Sequence, residues 1–191
     1  MHLDETEPGL RGRLVDVGVE LVSQEGAQAL TLREIARRAG VSHGAPRRYF
    51  PTHLELLSAI ARRGFDALAA RVAETIGDGT TSPRTQLAAL ARCYLEFALD
   101  NRGMYELMFR HDLLESGHLG LRDTSLPLFG RLVELVGRVR PDAEARLAAG
   151  ALWANLHGVA QLWGWGSLPL ATGTDDFVPL LRSALDAHLG P

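Results

Sequence analysis

The sequence predicts an all-α fold of about nine helices, a small three-helix head followed by a larger helical body. Three observations carry that expectation. Apolar residues recur at three- and four-residue spacing through almost every segment, the period of a half-buried helix. Helix-start and helix-stop residues flank those segments. Convincing strand runs, internal repeats and low-complexity stretches do not occur in the sequence. With 46% hydrophobic residues among 191, there is ample material for a buried core.

The elements follow in order. Leu10, Leu14, Val17, Gly18, Leu21 and Val22 make one stripe, so residues 10–25 form a helix that Gly26 ends. Thr31 with Glu34 is a capping box, and Leu32, Ile35, Ala36 and Ala39 then line one helical face. Gly40 stands at the stop position, where a left-handed residue costs least. Ser42 suits the N-cap of a short helix from His43 to Phe50, which Pro51 terminates. Thr52 and Glu55 form a second capping box, opening a helix to about residue 76. GDGTTSP (77–83) is the clearest loop. Helices are expected at 84–100, 102–115 and 124–139, with a break at 117–120. Pro141 starts a long helix to about residue 166, PLATGTDD (169–176) breaks the pattern, and 176–188 is the last helix.

Residues 31–50 therefore read as two helices joined by a tight glycine turn, a helix-turn-helix of the kind that places its second helix in the DNA major groove. Charge agrees. Residues 31–63 hold seven arginines against two acids, whereas 1–30 and 64–191 are each acidic on balance, so the overall −3 hides a basic segment. All twenty basic residues are arginine, whose fork suits phosphate oxygens and guanine edges.

Composition narrows the rest. The polar, acidic start MHLDETEPG lacks a secretion signal, and no apolar run reaches membrane-spanning length; a cytoplasmic protein with no membrane partner is expected. Cys93 is the single cysteine, which fits a reducing compartment. No catalytic constellation stands out, since there is no glycine-rich phosphate loop and no paired carboxylates. The chain is read as a non-enzyme without cofactor, an all-α enzyme being the remote alternative. His111, Asp112, Glu115 and His118 are polar neighbours, but Gly117 separates His118 from the others and no cysteine is near, so no metal site is assigned.

Residues 10–60 resemble the TetR (tetracycline repressor-like) family of bacterial transcriptional regulators. The likeness rests on T-x-R-E-I-A-R-R-A-G-V-S from Thr31 to Ser42, then Tyr49-Phe50-Pro51 and a capped fourth helix. Trp153, His157 and Gly158 resemble the Trp-x-x-x-His-Gly motif of one branch, as does GMYELMF at 103–109. The resemblance implies a DNA-binding domain at 8–55 and a ligand-binding and dimerisation domain at 56–191. It also implies a homodimer that grips double-stranded DNA at a palindromic operator and is released by a small-molecule effector. The last two long helices, about 142–166 and 176–188, would form the intersubunit bundle. A regulator acting constitutively or through a protein partner is the alternative. Two departures stand out: Pro46-Arg47 replaces the usual apolar residue and tyrosine, and His53 stands where lysine is frequent.

Site residues follow from both readings. Ser42, His43, Gly44 and Ala45 form the leading edge toward bases or backbone. Arg47, Arg48, Tyr49 and His53 are phosphate-contact candidates, and Thr31 combines a cap with a phosphate contact. Tyr49 has a second reading, as part of the head's core, and Phe50 reads as core. In the body, Tyr94, Phe97, Met104, Tyr105, Met108, Phe109, Phe129, Trp153 and His157 offer apolar walls with a few polar handles, which suits a largely apolar effector. The same spacing also describes ordinary core. Trp163 and Trp165 read equally as dimer anchors or as a pocket lid.

Overall fold

A computed structural model describes residues 7–77, 80–115 and 120–190. They are helical without strands, and eleven α-helices stand among them, against the nine expected. The helices are α1 (Glu7–Glu25), α2 (Leu32–Arg38), α3 (Pro46–Tyr49), α4 (His53–Ile76), α5 (Pro83–Asp100), α6 (Arg102–Met108), α7 (His111–Glu115), α8 (Arg122–Val139), α9 (Ala145–Gly164), α10 (Ser167–Thr172) and α11 (Val178–Leu189). The described residues fall into two compact units, the first drawn from 1–66 and 101–124, the second from 67–100 and 125–191.

Three expected boundaries are corrected. The single helix at 102–115 is two, because the chain turns at Phe109 and Arg110 before α7. The long helix starts at Ala145 rather than Pro141, since the Glu144 carboxylate accepts the Leu147 N–H at 2.8 Å and caps it there. The break expected at 169–176 is partly helical, as α10 runs to Thr172 before Gly173 turns left-handed. The expected break at 117–120 lies outside the described residues except for Gly120, and residues 78 and 79 of the 77–83 loop also lie outside them.

In the first unit, Leu14, Leu21, Leu30, Ile35, Leu56, Leu57 and Ile60 form a fully buried core between α1, α2 and the start of α4. The Thr31 hydroxyl accepts the Glu34 N–H at 3.2 Å, and Thr52 does the same for Glu55. Gly40 (φ 69°) ends α2: its N–H donates to the Arg37 carbonyl, and the Val41 N–H donates to Ala36 at 3.0 Å. That pair of reversed bonds satisfies two of the last carbonyls and fixes the turn. Within the same unit α6 lies on α1 so closely that a Cβ on Gly103 would stand 2.4 Å from the Val22 carbonyl oxygen.

In the second unit, α5 and α11 both pack on α9. Leu87, Ala91 and Leu95 of α5 are buried, as are Ala149, Leu152 and Leu156 of α9 and Leu181 and Leu185 of α11. Arg84 donates to Asp186 at 2.8 Å and Arg140 to the His188 carbonyl at 2.7 Å, pinning α11 at its far end. No helix among the described residues is long and apolar enough to cross a membrane.

Candidate nucleic-acid interface and body cluster

The second helix of the helix-turn-helix is shorter than expected. The expected span was His43 to Phe50; the observed helix α3 is the single turn Pro46–Tyr49. Residues 43–45 form a turn, closed by the Ala45 N–H on the Ser42 carbonyl at 3.0 Å. Ser42 therefore contributes its backbone and not a side-chain cap. Pro46 sits at the first helical position, where its missing N–H costs nothing, and Phe50 is already extended before Pro51. Ser42, His43 and Gly44 are exposed on this turn, with Ala45 half-buried. Arg47 and Arg48 are exposed on α3, Tyr49 is half-buried, and Pro46 faces inward. Phe50 is 1% exposed, as its core reading requires.

The basic segment divides once its partners are known. Glu34 takes both Arg37, at 2.6 and 2.9 Å, and Arg38, at 2.7 Å. Those two guanidinium groups hold its carboxyl well below the usual range, at about 2. Arg38 also reaches Glu25, and Arg63 pairs with Asp16 at 2.5 Å. Arg62 donates to the Thr124 hydroxyl at 3.3 Å. Arg33, Arg47 and Arg48 form no ion pair among the described residues and are exposed. Arg33, exposed like Arg47 and Arg48, was not among the phosphate-contact candidates read from the sequence. The signal was present: Glu34 lies three and four residues before Arg37 and Arg38, the spacing of helical ion pairs, which leaves Arg33 unclaimed.

His53 is committed differently from the expectation. Its Nε2 donates to the Leu30 carbonyl at 2.6 Å, so that N–H is not open to a phosphate. Thr31 keeps its hydroxyl proton, because the cap uses only the oxygen. Arg11 of α1 stands with its guanidinium 4.9 Å from the centre of the Phe50 ring.

The nine body candidates separate into two clusters, one in each unit. Met104, Tyr105 and Met108 are buried on α6 in the first unit, with Phe109 tilted 4.9 Å from Tyr105. Tyr94 and Phe97 of α5, Phe129 of α8, and Trp153 and His157 of α9 lie in the second. There the Trp153 Nε1–H donates to Tyr94 Oη at 3.3 Å, and Tyr94 Oη stands 3.0 Å from His157 Nδ1. Burial lowers the His157 pKa. Phe129 lies 6.0 Å from Trp153, itself 39% exposed. Trp163 meets Phe177 edge-on at 6.1 Å, whereas Trp165 is 65% exposed. The metal reading finds Asp112 bound to Arg110 and His111 3.2 Å from Glu115; His118 lies outside the described residues. Cys93 is buried, and that burial raises its thiol pKa.

Residues 14–60 match the family model of bacterial regulatory proteins of the tetR family, and residues 87–185 match the tetracyclin repressor-like C-terminal domain. The HTH-type transcriptional regulator BetI of Serratia proteamaculans is 31% identical over 159 residues, 80% of each chain. The HTH-type transcriptional repressor Rv3405c of Mycobacterium tuberculosis is 28% identical over 171 residues, 90% of this chain and 74% of the relative. A solved structure of a protein of unknown function from Rhodococcus sp. RHA1 superposes with a TM-score of 0.75 at 26% identity, covering 98% of this chain and 97% of the other.

Proposed function

Because the chain belongs to the tetR family of bacterial regulatory proteins, we propose that this DNA-binding transcriptional regulator is a homodimeric repressor released from a palindromic operator by a small, largely apolar effector. The observation that carries the reading is the surface of the helix-turn-helix. Arg33, Arg47 and Arg48 present unpaired charge beside an exposed turn at 42–44, while the neighbouring Arg37 and Arg38 are paired with Glu34 and Glu25. Phosphates take the free guanidinium groups, and the turn, with its small Gly44, brings backbone close to base edges.

Dimerisation has support in the second unit. Leu147, Ala151, Ala154 and Leu162 along α9 and Trp165 at its C-cap are exposed at helical spacing, an apolar stripe with small residues in its middle. A second copy approaching on that stripe would bury it, and the palindrome such a dimer reads has half-sites about one DNA turn, roughly 34–36 Å, apart. The effector's handle is the Trp153–Tyr94–His157 chain beside Phe129. Selection of bound DNA from a random pool tests the reading: a palindrome should be enriched, and recovery of no sequence preference would sink it. Thermal shift against a metabolite library then tests effector binding, since a ligand of the folded state raises the melting midpoint.

A further inference from the structure

We propose that the second unit carries a further small-ligand site, a groove between α5 and α11 that binds an anionic amphiphile, a single carboxylate-like head on a medium-length alkyl chain. The groove has a volume of about 420 Å³ and lies wholly within that unit. Its floor is apolar, made by Ala88 and Ala89 of α5 and Leu181, Leu185 and Leu189 of α11. It is separate from the Trp153–Tyr94–His157 chain. Thr85 lines the groove and Tyr94 follows nine residues later, about two and a half helical turns, which puts the two on opposite sides of α5.

Side-chain size keeps this groove open. The alanines of α5 are too short to fill the space beside the α11 leucines, so Ala88, Ala89 and Val178 stay only half-buried. The rim carries arginines. Arg84 is paired with Asp186 at 2.8 Å, and Arg92 with Glu96 at 2.7 Å. Arg182 differs from both. It is exposed on the α11 side of the rim and forms no ion pair among the described residues. One open guanidinium beside an apolar floor complements an anionic head on an apolar tail.

Size and chemistry select the occupant. Arg84 and Arg92 stand eight residues apart, so the groove follows α5 for about 12 Å. A specific protein partner buries about 1,200 Å² or more, which a groove of that length does not offer. The volume falls instead in the range of small-molecule sites, about 300–1,000 Å³. A bare oxyanion would exchange water for leucine and alanine side chains, which is costly for a charge. A cationic amphiphile would meet Arg182 with like charge. The tail therefore lies along the alanines and leucines while the head pairs with Arg182, and the occupant bridges α5 and α11.

Methyl-detected NMR titration of the full chain tests this, with octanoate as the probe near neutral pH and at constant ionic strength. The methyl resonances of Leu181, Leu185 and Leu189 should move in a saturable way. Butanoate should bind roughly tenfold more weakly, for lack of buried methylenes. Ala88→Leu fills the floor from the α5 side and should abolish octanoate binding. Its added side chain enters the groove and not the core, so an unchanged melting midpoint verifies the fold. Arg182→Gln should weaken octanoate roughly fivefold while leaving the affinity for octanol, which has no charge to pair, unchanged. Absence of saturable binding overturns the proposal. So does octanoate binding that Ala88→Leu leaves intact, which would place the ligand elsewhere. An equal loss of octanol and octanoate in Arg182→Gln would show that the arginine acts through its apolar stem, and would overturn the anionic assignment.

Discussion

Tyr94 Oη stands 3.0 Å from Nδ1 of His157, and the same oxygen accepts the Trp153 indole N–H at 3.3 Å. Tyr94 Oη thus links Trp153 to His157, holding the imidazole through Nδ1. Burial lowers the His157 pKa. The pH consequence has a definite sign. Below the ordinary histidine value of about 6.5, the unfolded chain takes up a proton that the folded chain resists. This contribution to stability is complete above that value and is lost as pH falls toward the lowered folded pKa. Denaturant midpoints at about pH 7.5 and 5.5 should therefore fall further for the unaltered chain than for His157→Gln. Equal falls would remove His157 as the titrating group.

Tyr94→Phe keeps the ring and deletes the hydroxyl shared by both partners. Stranding a buried polar group costs roughly 1–3 kcal/mol, and a destabilisation of about that size is expected in urea unfolding. If this chain is also the effector's handle, the thermal shift given by any effector found should shrink in the same variant.

The arginines of the head should sort by their partners. Arg33→Ala, Arg47→Ala and Arg48→Ala should each weaken DNA binding across all sequences and reduce the salt slope by about one. Arg37→Ala should change that slope less, because this guanidinium is already ion-paired with Glu34. Fluorescence titration over a salt series reads both, and an Arg37 effect as large as that of Arg47 would contradict the division.

Gly103→Ala sets two effects against each other. Alanine favours a helix over glycine by roughly 1 kcal/mol. The new Cβ, however, would lie 2.4 Å from the Val22 carbonyl oxygen and 3.0 Å from Gly26 Cα. Both are backbone atoms and cannot swing aside as a flexible side chain does, so α6 must lift from α1. Overpacking of this kind costs about 1–3 kcal/mol and should win, lowering the denaturant midpoint.

Leu162→Glu places a charge on the exposed apolar stripe of α9 without touching the core of its own unit. Sedimentation velocity should show a monomer with unchanged helicity by circular dichroism. Binding to a palindromic operator should fall while binding to a half-site persists. A dimer that survives the substitution would move the interface elsewhere.

Local signals in the sequence were enough for most helix starts and stops. Thr31, Thr52 and Gly40 act within three or four residues of themselves, through hydrogen bonds their own segment supplies, and each behaves as its residue type requires. The misread boundaries arose where a neighbour competes: Glu144 captures the α9 start from Pro141, and Ser42 loses its cap to a turn closed by Ala45. The DNA-facing candidates were legible as a segment, yet their availability was not. Arg38 is claimed by Glu25, thirteen residues away, and His53 by Leu30, twenty-three away; neither distance in sequence reveals an approach in space.

What the sequence by itself determined is the helical class, the helix-turn-helix and its basic segment, because periodicity, caps and turn glycines are local properties. Tertiary structure alone decided which of the seven arginines remain open, why Gly103 must lack a side chain, and that Trp153, Tyr94 and His157 form one hydrogen-bonded chain. Those relationships depend on which surfaces meet, and packing brings together residues as distant as Tyr94 and His157, whose separation of 63 positions carries no pattern to read.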